Sequence, residues 1–194
     1  MHKTVTFFEK KMSGRQNQRS EEGRLRDTPD MLNIELAPFQ PVDLARLEAW
    51  LREEHVRRWF PHPGEILDCA RATPVGTHQR LIVEDTRPVG YIRWAYVPRE
   101  VLDSIGFTDI PPDSADIDLL IGERNNIGRG IGRAALELVV AAIRADGKTS
   151  LAALTTSVEN RRAQRAFARC GFSIDREYVP EGFGPCYLMI RKIE

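Results

Sequence analysis

A glycine-rich turn between a strand and a long helix limits the possible folds of this chain more than any other segment. Residues 127–133 read Ile-Gly-Arg-Gly-Ile-Gly-Arg. The alternating pattern of Ala115–Ile121 indicates a strand before the turn, and the apolar periodicity after it indicates a helix that ends near Gly147. The glycines expose backbone N–H groups at the mouth of that helix, where the positive end of the helix dipole lies. This arrangement predicts a turn that binds a phosphate or pyrophosphate group.

The remaining segments alternate between strand and helix patterns, which predicts a mixed α/β domain. Strands are predicted at Asn33–Ala37, Arg80–Glu84, Val89–Val97, Ser150–Thr156, Ser173–Val179 and Cys186–Lys192, and helices at Asp43–Arg58 and Asn160–Cys170. Residues 13–30 are polar and charged and have no hydrophobic period, so residues 1–31 are predicted to form a flexible N-terminal arm. The remaining residues, 32–194, have a length that suits one domain of ordinary size.

The composition disfavours several functional classes. Lysine plus arginine and aspartate plus glutamate both number 28, so the chain lacks the basic excess typical of a nucleic-acid-binding protein. No apolar run approaches the roughly 20 residues that cross a bilayer, and no secretory signal pattern is present, so no membrane association is expected. Cys69, Cys170 and Cys186 lie far apart and predict neither a disulfide framework nor a metal site. We therefore expect a cytoplasmic protein with reduced thiols and no metal.

Two well-known phosphate-binding motifs do not fit the glycine-rich turn. A P-loop needs Lys and then Ser or Thr after its last glycine, whereas Arg133 and Ala134 follow Gly132 here. A dinucleotide fingerprint needs G-x-G-x-x-G near the first strand of its unit, whereas this chain has G-x-G-x-G late in the sequence. The turn therefore belongs to another class of phosphate site.

The turn resembles the acetyl-CoA loop of the GNAT (Gcn5-related) N-acetyltransferases, whose motif is Gln/Arg-x-x-Gly-x-Gly/Ala. Gly130 and Gly132 match its two later positions, and Ile127 stands where Gln or Arg is usual. A second block runs from Asn160 to Phe172 and is similar to the family signature N-x-x-A-x-x-x-Y/F-x-x-x-G-F. The two blocks have the family's order and spacing, and the resemblance covers about residues 33–193.

The resemblance implies a central, twisted, mostly antiparallel sheet that splays between its fourth and fifth strands and is flanked by helices. The family binds acetyl-CoA as a co-substrate in that opening. Backbone groups of Leu120, Ile121 and Gly122 are then expected to pair with the pantetheine arm, and the Asn160 side chain to bind the same arm. The expected pyrophosphate ligands are the N–H groups of Gly128, Arg129, Gly130, Ile131, Gly132 and Arg133.

Acetyl transfer in this family proceeds by direct attack of an amine, which must first lose a proton. Asp118 lies on the strand that lines the cofactor opening and is the predicted catalytic base. Strand alternation places Asp116 on the same face, so both carboxylates are predicted to bind a positively charged substrate. Phe167 stands where relatives often carry a tyrosine that protonates the leaving thiolate, so that donor is missing here.

Within the family, the chain resembles aminoglycoside 6'-N-acetyltransferases, which are antibiotic-resistance enzymes. The segment of residues 54–60 is similar to their H-V-x-R/K-W-Y/F segment, and within it Trp59 is a candidate wall for a sugar ring. The expected substrate is a small polycationic amine, which an acidic site would attract. Thr155 stands where some drug-modifying relatives have an aspartate. The expected assembly is a monomer or a homodimer.

Two other functions remain open from the sequence. A siderophore-biosynthesis acyltransferase, which acylates a hydroxylated lysine side chain, shares the same general layout. A GNAT-like module that binds acyl-CoA without catalysis is favoured by Ile127 and Phe167 and disfavoured by the near-intact loop and Asp118.

Overall fold

A computed structural model describes residues 32–180 and 182–194 of the chain. The predicted N-terminal arm, residues 1–31, lies outside these described residues. The centre of the molecule is one seven-stranded sheet with the order β1-β2-β3-β4-β5-β7-β6. Its strands are β1 (Ile34–Pro38), β2 (Thr77–Glu84), β3 (Arg87–Val97), β4 (Ser114–Ile121), β5 (Leu151–Ser157), β6 (Ser173–Tyr178) and β7 (Cys186–Lys192).

The sheet is antiparallel except between β4 and β5. These two parallel strands pair only at Ala115 with Ala152 and at Asp116 with Ala153. Each strand remains fully paired with its other neighbour, β3 or β7. Beyond Asp116 the two strands therefore separate and leave a V-shaped opening, as the sequence predicted. We call this feature the splay, and Asp116 stands at its vertex.

Within the described residues, six helices flank the sheet: α1 (Leu44–Arg52), α2 (Glu54–Arg57), α3 (Pro63–Ala72), α4 (Arg99–Ser104), α5 (Ile131–Asp146) and α6 (Arg161–Arg169). The prediction of one helix over residues 43–58 is wrong, because Glu53 has an extended ψ of 132° and separates α1 from α2. The Asp43 side chain does not cap α1. It accepts a hydrogen bond of 2.9 Å from the Gln40 backbone N–H and closes a short 3-10 turn instead.

The two faces of the sheet carry different cores. On one face, α5 packs its apolar stripe onto the sheet, with Leu136, Val139 and Ile143 fully buried. The opposite face carries two separate apolar clusters, one under α1 and α3 and the other under α4 and the loop after it. Residues of a strand alternate between faces, and Ala115 and Ile117 belong to the α5 core. Asp116 and Asp118 therefore lie on the opposite face, between its two apolar clusters.

Candidate active site

The glycine-rich turn leaves its backbone amides free at the start of α5. Gly128 and Gly130 have φ values of 85° and 92°, which favour glycine, and Gly130 is the N-cap of α5. Within the described ranges, no acceptor is found for the N–H groups of residues 128–133. The amides on either side are bonded, since Ile127 N–H donates to the Arg124 carbonyl and Ala134 N–H donates to the Gly130 carbonyl.

Six consecutive free amides at a helix N-terminus fit the oxygens of a pyrophosphate. A Cβ atom built on Gly128 would meet nothing within 4 Å, so the turn is open at this residue, whereas a Cβ atom on Gly130 would lie 3.3 Å from the Leu32 side chain. The backbone groups present fit a diphosphate, and their assignment to the diphosphate of acetyl-CoA stays a prediction from the sequence. Arg133 is exposed beside them.

The Arg129 side chain, in contrast, is engaged within the protein. Its two terminal nitrogens each donate a hydrogen bond of 2.8 Å to Glu84, the last residue of β2. A further bond of 2.9 Å joins Arg129 to the Asn126 amide oxygen. These contacts tie the turn to the sheet, so Arg129 is available to a phosphate through its backbone N–H.

The three predicted pantetheine contacts on β4 do not point in one direction. Gly122 N–H donates a bond of 2.9 Å to the Val89 carbonyl of the β3 strand. In an antiparallel pair, successive residues direct their backbone groups to opposite sides, so Leu120 also faces β3 and Ile121 faces the splay. The Ile121 carbonyl lies 3.1 Å from Nε2 of His55, a residue that sequence reasoning left out of the site.

Asn160, the predicted side-chain ligand of the pantetheine arm, is the N-cap of α6. Its Oδ1 accepts a bond of 3.1 Å from Ala163 N–H, which leaves its side-chain NH₂ group for another partner. Phe167, on the same helix, is partly buried against the α5 core.

The predicted base, Asp118, forms a buried ion pair. Its carboxylate contacts the Arg93 guanidinium, and each of these side chains is only 6% exposed. The two residues are direct partners in the antiparallel register of β3 and β4. Arg93 also donates a long contact of 3.8 Å to the Cys69 thiol. Sequence analysis missed Arg93, although its charge within a strongly apolar strand was a visible signal.

Asp116 has a different environment. Its side chain keeps some accessible surface, although protein atoms surround its carboxyl group. Burial, and secondly the negative charge of Asp118, raise the pKa of Asp116 to about 7, while Arg93 opposes this rise. Among residues 32–180 and 182–194, the Asp116 carboxyl has no hydrogen-bond or ion-pair partner. It is therefore an unpaired acid at the vertex of the splay.

Two hydroxyl groups line the other side of the splay. Thr155 follows Ala153 on the same face of β5, as Asp118 follows Asp116 on β4. The Thr155 hydroxyl lies 2.7 Å from the hydroxyl of Tyr178, at the end of β6. Burial raises the pKa of Tyr178, so its hydroxyl stays protonated at neutral pH. Thr155, which stands where some relatives have an aspartate, thus forms a neutral pair of hydroxyl groups with Tyr178.

Segments outside the sheet border the face that carries Asp116 and Asp118. Trp59, the candidate sugar wall, is partly exposed after α2, and the Arg58 guanidinium lies 4.8 Å from its ring centroid. His62 packs edge-on against Phe183 of the β6–β7 loop, with ring centroids 5.1 Å apart. The contact of His62 with Phe183 connects the α2–α3 segment to the β6–β7 loop.

A shallow cavity of about 420 Å³ lies at the end of β4 and is lined by Trp50, Glu53, Gly122, Glu123, Arg124 and Asn125. A Cβ atom on Gly122 would come within 2.3 Å of the Trp50 ring, so only glycine allows this packing. Glu53 and Glu123 are exposed and give the cavity two carboxylates.

The described part of the chain shows neither a metal site nor a membrane-spanning helix. Residues 32–180 and 182–194 contain no group of three or more metal-ligating side chains placed to hold an ion. The helices found in these ranges are too short or too polar to cross a membrane.

Comparisons with known proteins agree with this geometry. A family model described as an acetyltransferase (GNAT) domain matches residues 40–179. Aminoglycoside acetyltransferase AAC(6')-Ib in complex with coenzyme A has the same fold, with a TM-score of 0.71 and 18% identity over 82% of this chain and 95% of that chain. A second structure of AAC(6')-Ib, with coenzyme A and kanamycin, gives a TM-score of 0.71 and 20% identity over 82% and 95% of the two chains.

An aminoglycoside N(6')acetyltransferase from Legionella pneumophila has a TM-score of 0.66 and 16% identity, over 85% of this chain and 95% of that chain. A search of curated protein sequences finds no match. The solved structures share the splayed fold at low identity, and the family model covers more than half of the chain. The resemblance expected from the glycine-rich turn and the Asn160 block is therefore confirmed, and this chain belongs to the GNAT acetyltransferase family.

Proposed function

We propose that this protein transfers the acetyl group of acetyl-CoA to a primary amine of a small polycation. The observation that carries the proposal is the run of six free amides, residues 128–133, beside a splay whose vertex holds two carboxylates. The amides would hold the diphosphate, and the splay would admit the pantetheine arm next to Ile121 and Asn160. Acetyl-CoA supplies the thioester, and the protein contributes binding, orientation and proton transfer.

The acceptor would enter from the face that carries Asp116 and Asp118. An amine with a pKa of roughly 10 is an ammonium ion at neutral pH and has no lone pair for attack. A carboxylate on β4 would therefore bind it and accept its proton, a role that the family resemblance assigns to Asp118. The two carboxylates that line the cavity at the end of β4, Glu53 and Glu123, add negative charge for further amino groups.

The proposed acceptor is the 6'-amino group of an aminoglycoside antibiotic. The support is the likeness of residues 54–60 to the corresponding segment of such enzymes, and the shared fold with structures that contain kanamycin or ribostamycin. Two differences separate this chain from the drug-modifying pattern: Thr155 replaces an aspartate, and Arg93 neutralises Asp118. The acceptor range is therefore expected to be narrower than that of an enzyme with an acidic residue at Thr155.

The release of free CoA thiol from acetyl-CoA tests this function directly. We expect release with kanamycin, tobramycin or amikacin. Release with hydroxylysine and with none of these drugs would instead assign the protein to siderophore synthesis. Tight acetyl-CoA binding without turnover of any amine would indicate a binding module.

A substitution in the turn tests the cofactor site. Gly130→Val should weaken acetyl-CoA binding by at least tenfold, because a β-branched side chain is strained at φ 92° and would disturb the free amides. Gly147→Val is the matched control, since Gly147 ends the same helix at φ 66° with open space around it. Isothermal titration with CoA measures both variants. Equal CoA affinities of Gly130→Val and Gly147→Val would refute the assignment of the turn as the pyrophosphate site.

A further inference from the structure

We propose that Asp116 takes the proton from the acceptor amine and that Asp118, held by Arg93, positions that amine. The inference rests on the proposed acetyl transfer and names the residues that perform its proton-transfer step. Family resemblance points to Asp118, whereas the geometry of this chain points to the neighbouring carboxyl group.

Asp116 lies where the acetyl group would be delivered. Asp116 is the last residue of β4 that pairs with β5, so its side chain stands where the two strands begin to separate. An acetyl group carried between the strands would end its path near this vertex. Asp118 lies two residues farther along the opening and on the same face. An ammonium group between the two carboxylates would meet both.

The two carboxylates differ in their ion pairing. Arg93 contacts one oxygen of the Asp118 carboxylate, Oδ2, in a buried ion pair, and the pair carries no net charge. Asp116 has no such partner within the described residues. Protonation of Asp118 would leave the buried Arg93 charge without compensation, whereas Asp116 can take a proton without breaking an ion pair.

Charges of both signs surround Asp116. The titratable groups that face it are Asp118 on its own strand, Arg93 on β3 and Tyr178 on β6. Asp118 favours the protonated acid and Arg93 the carboxylate, while Tyr178 is a neutral hydroxyl. Burial is the largest influence, and the resulting pKa of about 7 suits a group that gains and loses a proton at neutral pH.

The proposed step balances as follows. The ammonium nitrogen gives one proton to an Asp116 oxygen and becomes a neutral amine. Its lone pair forms the N–C bond to the acetyl carbon, and the C–S bond breaks. The electron pair of that bond leaves with the thiolate, which takes the second nitrogen proton through solvent. Asp116 returns its proton to solvent, so an acetamide, the CoA thiol and one proton are the products.

Kinetics of three isosteric variants test the division of roles. We expect Asp116→Asn to lower kcat by about 100-fold or more and to remove the inflection near pH 7 from the pH profile of kcat/KM for the amine. Its rate should approach that of the wild type at high pH, where the amine loses its proton in water. Asp118→Asn should mainly raise the KM for the amine and keep an inflection, moved to lower pH because Asp118 no longer raises the pKa of Asp116 and Arg93 still lowers it. Asp113→Asn, an exposed position with a φ of 59° that asparagine tolerates, is the control and should match the wild type.

A direct titration gives a readout that does not depend on turnover. In protein labelled with ¹³C at aspartate carboxyl carbons, one resonance should titrate near neutral pH, and Asp116→Asn should remove it. If Asp116→Asn does not fold, the titration of the wild-type protein still tests the proposal. A profile in which every aspartate titrates below pH 5 would overturn the proposal.

The outcomes separate this inference from the function on which it rests. Loss of the inflection in Asp118→Asn and its retention in Asp116→Asn would overturn the role of Asp116 and leave acetyl transfer intact. No thiol release by the wild type with any amine would overturn the proposed function, and with it the catalytic role of Asp116. The carboxyl titration would then report only the ionisation of Asp116.

Discussion

Among single side chains, Arg93 decides how much negative charge the site presents. It is 5% exposed and stands opposite Asp118, which is 6% exposed. A buried pair of this kind gains little net stability, because desolvation of both ions offsets their attraction. Removing one partner is costly, since the other charge then remains buried without compensation. The pair therefore holds its two side chains in fixed positions more than it stabilises the fold.

This reasoning predicts a pattern of unfolding free energies. Arg93→Leu should destabilise the protein by about 3–5 kcal/mol, and the double variant Arg93→Leu/Asp118→Leu should recover most of that loss. The exposed pair of Arg52 and Glu48 is the control, and Arg52→Gln should cost about 1 kcal/mol or less. Chemical denaturation measures all three variants. A loss below 1 kcal/mol in Arg93→Leu would contradict the ion pair.

Among the secondary-structure elements, the contact between the glycine-rich turn and β2 holds the proposed pyrophosphate site in place. Arg129 donates two hydrogen bonds to Glu84, and Glu84 ends β2, which lies two strands from β4 in the sheet. The bidentate geometry restrains the turn before a ligand arrives, which lowers the ordering cost of binding.

Loosening this contact should weaken cofactor binding and leave chemistry unchanged. Glu84→Gln is expected to raise the KM for acetyl-CoA about twofold to fivefold at constant kcat, which corresponds to the modest energy of a partly exposed ion pair. Glu65→Gln, at an exposed position on α3, is the control. Steady-state kinetics at saturating amine give both constants. A lower KM in Glu84→Gln would show that the pair competes with the phosphate for Arg129.

For the molecule as a whole, stability and activity place opposite demands on Asp116. Its pKa is raised above the ordinary value of 3.8, so the folded state binds the proton more tightly than the unfolded chain does. The stabilising contribution is complete below about pH 4 and is lost as the pH rises towards 7. A site poised for proton transfer at neutral pH therefore reduces the stability of the fold in that range.

Asp116→Asn removes this penalty, since asparagine carries no charge to bury. We expect the variant to have a flatter dependence of Tm on pH between pH 4 and pH 8 and a higher Tm than the wild type at pH 8. Calorimetry across this range, with Asp113→Asn as the control, provides the measurement. The same dependence of Tm on pH in the wild type and in Asp116→Asn would mean that the Asp116 carboxyl group ionises as in water.

The local pattern of the sequence was sufficient for much of this architecture. The strand–turn–helix unit around residues 115–147 was predicted because alternation, glycine spacing and helical periodicity depend only on neighbouring residues. The same holds for Asn160 as the start of α6. Prediction was wrong at residues 43–58, because one extended residue, Glu53, interrupts a continuous apolar period. The helices α3 and α4 were missed, since their apolar residues are few and separate clusters bury them.

The chemistry of the site depended on contacts between distant segments. Sequence alternation placed Asp116 and Asp118 on one face, and this is a property of any strand. The register of β3 against β4 then put Arg93 on Asp118, and the limited pairing of β4 with β5 left Asp116 at the vertex. Residues far apart in the chain meet only when the sheet forms, and their mutual charges determine which carboxyl group is free. The turn and its helix could therefore be recognised from the linear chain, whereas the division of roles between the two acids follows from the assembled sheet.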